Sequence, residues 1–124
     1  MKKILLFFPF LLFATDFISN LEYGKMLYEN PRGIGCIKCH GKDAKGRIIA
    51  TYIDDKTGEV RKMIAPNIQK ISWVRFYHRL RFSEILKKGK FKKLNYSIMP
   101  NYTYLVDSEI RAIFLYIQSL KGKK

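Results

Sequence analysis

At 124 residues with a formal charge of +14, the chain is too short for more than one ordinary domain and far from electrically neutral. Apolar residues make up 48% and aromatics 15%, which excludes a disordered polymer. Its two cysteines are the near neighbours Cys36 and Cys39, so a disulfide framework tying distant segments together is excluded too. The 24 Lys and Arg against 10 Asp and Glu attract anionic surfaces, whether acidic proteins, phosphate backbones or lipid, without choosing among them.

The chain opens with Lys2 and Lys3, followed by an apolar run from Ile4 to Ala14 that contains Pro9. The run is shorter than the roughly 20 residues a membrane-spanning helix needs, and fits the apolar region of a signal peptide. Neither Ala14 with Leu12 nor Ser19 with Phe17 makes a small-x-small cleavage site. Residues 1–19 therefore read as a signal peptide or an uncleaved N-terminal anchor, and residues 20–124 as one exported domain. Asn20 to Glu29 reads as a helix that Pro31 ends, with Gly24 hinting at close backbone approach to another element. Arg47–Ile53 and Glu59–Ile64 alternate around Asp54-Asp55-Lys56-Thr57-Gly58 and predict a β-hairpin. Ile71–Leu80 and Ser83–Lys88 are predicted helical, the second with Ser83 as its N-cap. Ile110, Ile113, Phe114, Ile117 and Leu120 follow the spacing of one buried helix face.

Chemistry concentrates in Cys36-Ile37-Lys38-Cys39-His40. C-x-x-C-H is the signature of c-type haem attachment: each thiol adds across one vinyl group, and the histidine after the second cysteine lies beneath the iron. C-x-x-C also serves zinc and thiol redox sites. A zinc site would need four ligands, from Cys36, Cys39, His40 and His78, with adjacent Cys39 and His40 on one small ion. A thioredoxin-like pair expects βαβ context, which the preceding Pro/Gly turn does not supply. A local disulfide leaves His40 unexplained. For a second axial ligand the candidates are Met99 and His78. Met99 precedes Pro100 in an irregular stretch suited to reaching across a haem face, and its thioether would raise the potential. His78 sits in the basic Tyr77-His78-Arg79 stretch of a helix, while Met26 and Met63 read as packing residues.

The order of motifs resembles the class I, or mitochondrial-like, monohaem cytochromes c in their bacterial form. The resemblance runs from Gly24 to Leu120. It includes Gly24-Lys25-Met26-Leu27-Tyr28, Cys36-Ile37-Lys38-Cys39-His40-Gly41, Ala65-Pro66-Asn67-Ile68, Ile98-Met99-Pro100, and Leu105 to Ile110 leading into Tyr116-Ile117. It implies a mostly α class I cytochrome c fold, with helices packed around one covalently attached haem c. In such a fold Gly24 and Tyr28 cross the last helix near Tyr116. It also implies that Pro66 offers its carbonyl to the Nδ1–H of His40 and so fixes the orientation of the ring. Read without the resemblance, Pro66 is a turn proline after a strand.

Two departures stand out. Val106 occupies a position where the family often has Ser or Thr, so Asp107 is expected to cap the last helix. Residues 41–63, with the proposed hairpin, form an insertion that suits covering a haem edge or meeting a partner.

With Cys36 and Cys39 bonded to haem, and His40 and Met99 on the iron, no coordination position stays open. The expected function is then one-electron transfer between periplasmic or membrane partners, not enzyme catalysis. If Met99 does not ligate, a haem-based gas sensor or a peroxidase-like enzyme becomes the alternative. A cytochrome subunit of a larger oxidoreductase is another. Lys87, Lys88, Lys90, Lys92, Lys93 and Lys38 are candidates to receive an acidic redox protein, against the plain reading of a solvated loop. Trp73, Tyr96 and Arg75 are candidates to pack on the haem or hold a propionate. No nucleic-acid-binding motif is present, and a membrane contact is expected only if residues 1–19 stay attached.

Overall fold

The computed structural model describes residues 18–94 and 97–122. The N-terminal apolar run and Tyr96 lie outside the described residues. Those described form four helices and two antiparallel hairpins, in the order α1 (Asn20–Glu29), α2 (Ile37–His40), β1 (Arg47–Ile53), β2 (Val60–Ala65), α3 (Trp73–Phe82), β3 (Glu84–Lys87), β4 (Lys90–Lys93) and α4 (Asp107–Ser119). Among them no helix is long and apolar enough to cross a membrane.

Helix α1 starts where the sequence places it, because Ser19 and Glu22 cap it reciprocally. The Glu22 N–H donates to Ser19 Oγ (3.1 Å) and the Ser19 N–H to Glu22 Oε2 (3.0 Å). It ends at Asn30, ahead of Pro31. Helix α4 buries Ile110, Ala112, Ile113, Tyr116 and Ile117 and packs on α1. The two cross at Gly24, where an added Cβ would lie 1.9 Å from the carbonyl oxygen of Ala112. Tyr28 and Tyr116 pack beside that crossing with ring centroids 5.4 Å apart. The Gly that costs helix propensity thus lets two backbones touch.

The cap of α4 differs from expectation. Val106, not Asp107, is the N-cap residue and has no side-chain acceptor; instead the Val106 N–H donates to Glu109 Oε2 at 2.9 Å. Asp107 is the first helical residue and accepts from the Tyr77 hydroxyl at 3.0 Å, tying α4 to α3.

Strands β1 and β2 pair from Arg47↔Ala65 to Ile53↔Val60, close to the predicted bounds. Their register slips between Ile48 and Ala50, leaving Ile49 unpaired in a bulge. At the tip, Gly58 N–H donates to Asp54 O at 2.7 Å and Lys56 N–H to Asp54 Oδ1 at 2.9 Å.

Helix α3 begins two residues later than predicted because Ser72 accepts from the Arg75 N–H and caps it. The second predicted helix, Ser83–Lys88, is corrected. Ser83 is a buried left-handed residue (φ +56°) that closes α3, and its N–H donates to His78 O. The following residues form β3, paired to β4 from Glu84↔Lys93 to Lys87↔Lys90. Lys88 (φ +49°) and Gly89 (φ +75°) make the two-residue turn, with the positive φ values of a primed hairpin turn.

Candidate functional site

One cavity of about 540 Å³ brings the motif residues together. Cys36, Cys39 and His40 line it from α2, Pro66 from the end of the first hairpin, and Met99 from the segment before α4. Its wall is otherwise largely apolar: Ile49 and Ile64 from the first hairpin, Phe76 and Leu80 from α3, Ile85 and Leu86 from β3. That volume lies in the range of small-molecule and cofactor sites.

Cys36 and Cys39 are free thiols at the two ends of one helical turn. Burial pushes the Cys36 thiol up to about 12. A thiol kept protonated is a poor nucleophile, which speaks against Cys36 as the attacking thiol of an exchange reaction. Among the described residues no three of His, Cys, Asp and Glu gather around a point that could hold a metal ion. His40 is buried, and its Nδ1 lies 2.9 Å from the Pro66 carbonyl oxygen. A carbonyl can only accept, so Nδ1 carries the proton and Nε2 keeps a free lone pair. Burial lowers the His40 pKa, and the bond to Pro66 works in the opposite direction. Gly46 makes this approach possible: a Cβ there would meet Ala65 O at 2.1 Å and the Pro66 carbonyl carbon at 2.6 Å. Its own N–H donates to His40 O at 2.8 Å.

The rival to Met99 is engaged elsewhere. His78 Nδ1 lies 2.8 Å from Glu84 Oε2, and its ring stacks on Phe91 at 3.8 Å between centroids. It joins α3 to the second hairpin and is not part of the cavity wall. Met99 is half-buried and faces the cavity; so does Met63, which the sequence assigns to packing, whereas Met26 is exposed. Trp73 is not in the wall but packs on Tyr77 and Phe114 at 5.4 and 5.2 Å. Arg75 does line the cavity.

Sequence reasoning missed Arg79. It lines the cavity, its Nη2 donates to Ser97 Oγ (3.0 Å) and to Met99 O (3.4 Å), and its buried Nη1 has no hydrogen-bond partner. An unpaired buried guanidinium nitrogen is costly unless an anionic oxygen meets it. A largely apolar cavity with two free thiols, a free imidazole lone pair, the thioethers of Met63 and Met99 and the cations of Arg75 and Arg79 matches the chemistry of haem. Its ring is apolar, it carries vinyl groups and carboxylates, and its iron takes nitrogen and sulfur.

The family model for cytochrome c matches residues 21–121, which takes in both crossing helices and every cavity residue named above. No curated protein and no solved structure matches the chain. By that match over most of its length, the chain belongs to the cytochrome c family, whose members bind a covalently attached c-type haem and carry electrons on it.

Proposed function

We propose that this chain is an exported one-electron carrier of the class I bacterial type, with haem bonded through Cys36 and Cys39 and held at its iron by His40 and Met99. The observation that carries the reading is the shared cavity, in which the Pro66 carbonyl occupies Nδ1 of His40 and leaves Nε2 free. When bound, the haem supplies an Fe(III)/Fe(II) couple. His40 supplies a neutral nitrogen whose ring orientation and basicity Pro66 sets. Met99 supplies a soft sulfur that favours the reduced metal and raises the potential. Ile49, Ile64 and Ile85 present apolar surface to the cofactor, while Gly46 keeps Pro66 within reach of His40. Export rests on Lys2, Lys3 and the apolar run that follows them. The chain's charge and the exposed lysines of the β3–β4 hairpin support an acidic protein as redox partner.

The decisive measurement is the pyridine haemochrome spectrum, followed by the ferric spectrum of wild type and Met99→Ala. Covalent haem c and a methionine-to-iron charge-transfer band are expected in wild type, with the band lost in M99A. A wild type without that band, and with rapid carbon monoxide binding when reduced, overturns the carrier reading in favour of a sensor or enzyme.

A further inference from the structure

Arg79 divides its hydrogen-bonding capacity between two places. Its Nη2 is committed to the segment that bears Met99, through Ser97 Oγ at 3.0 Å and Met99 O at 3.4 Å. Its Nη1 is buried and unpartnered in a residue of the cavity wall. Apart from the two thiols and Nε2 of His40, the other polar side chains of the wall are spent or exposed. Tyr102 donates its hydroxyl to Ile34 O (3.2 Å), Glu84 is paired with His78 (2.8 Å), and Arg75 and Ser97 are exposed.

Guanidinium is a rigid planar fork, so fixing one nitrogen fixes the direction of the other. We propose that Arg79 is a positioning residue that joins a carboxylate of the cofactor to the Met99 segment, gripping the first through Nη1 and the second through Nη2. This inference rests on the reading that haem fills the cavity with Met99 as a ligand. The guanidinium is held in place by the carboxylate it meets and, through the Met99 carbonyl, fixes the point from which the thioether sulfur reaches. Loading the cofactor and ordering its second ligand thereby become one event. The cation also disfavours the more positive ferric state, which raises the potential.

The test compares the holoproteins of wild type, Arg79→Gln and Ser97→Ala by ferric spectrum, reduction potential and imidazole binding to the ferric form. Imidazole competes with the methionine sulfur and so reports how firmly Met99 is held. R79Q is expected to lower the potential, weaken the methionine band and tighten imidazole binding roughly ten-fold or more, as the loss of a charged hydrogen bond would. S97A removes one grip on the loop without touching the cation. It is expected to tighten imidazole binding by a smaller factor and leave the potential unchanged. If R79Q fails to retain haem, S97A decides by itself: imidazole affinity equal to wild type overturns the inference. A potential that falls in R79Q while band and imidazole affinity stay at wild-type values also overturns it, since Arg79 would then serve the carboxylate alone. A wild type that lacks the methionine band overturns the ligand reading, and this inference with it. A wild-type band that persists unchanged in both variants overturns only this inference.

Discussion

Gly46 shows how far a functional geometry can depend on a residue that carries no functional group. Its φ of +80° and the 2.1 Å that would separate a Cβ from Ala65 O leave no room for a side chain. Gly46→Ala should strain the turn by about 1–3 kcal/mol and push Pro66 away from His40. The expected result is a lower melting temperature together with a shifted reduction potential. A variant with the wild-type potential would show that Pro66 tolerates the displacement. Cys36, Cys39 and His40 were legible in the sequence because their relation is local, enforced by one helical turn. Pro66 was legible only through the order of motifs. Gly46 and Arg79 were not legible, since the first matters through the Ala65–Pro66 backbone and the second through Ser97 and Met99, partners that no local pattern reveals.

Among the elements, the contrast between α1 and β3 is instructive. The Ser19–Glu22 capping box and Pro31 bracket α1, so its bounds follow from neighbours in the chain. Ser83-Glu84-Ile85-Leu86-Lys87-Lys88 has an equally helical composition but folds as a strand. Ser83 takes the left-handed conformation and donates its hydroxyl to Asn101 Oδ1 (2.7 Å), while Phe91 covers His78 from across the hairpin. Tertiary contacts outweigh propensities worth only tenths of a kcal/mol per residue. The α1–α4 crossing gives the sharpest test at this scale. Gly24→Ala gains about 1 kcal/mol of helix propensity. It also forces a methyl against the Ala112 backbone, which no rotamer change relieves. A net loss of about 2–3 kcal/mol is expected, read as a melting temperature lower by roughly 5–15 °C. Equal or greater stability would mean that the helices can separate without loss.

For the molecule as a whole, the class of fold was legible and the placement of charge was not. The densest lysine run belongs to a hairpin whose base, Ile85 and Leu86, lines the cavity and whose turn and second strand carry Lys88, Lys90, Lys92 and Lys93 into solvent. Lys38, by contrast, spends its ammonium on Pro31 O at 2.7 Å. Charge reversal at Lys90 and Lys92 should therefore slow electron exchange with an acidic partner more than reversal at Lys38. The difference should shrink as salt shortens the Debye length from about 10 Å at 0.1 M to about 3 Å at 1 M. Stopped-flow rates across an ionic-strength series measure it, and equal rates for all three variants would remove the hairpin from the docking face. The first hairpin, β1–β2, is a different kind of addition. Every residue of β1 is exposed, yet bulged Ile49 still reaches the cavity wall. Contact between α1 and α4 closes the stretch from Gly24 to Ala112 into one long loop, with both hairpins inside it. The entropy of closing such a loop grows only with the logarithm of its length, and a doubling costs about 0.6 kcal/mol. A loop closed by that crossing can thus lengthen in the middle at almost no thermodynamic cost, and that leaves the segment over the cavity free to vary in length while the crossing stays the same.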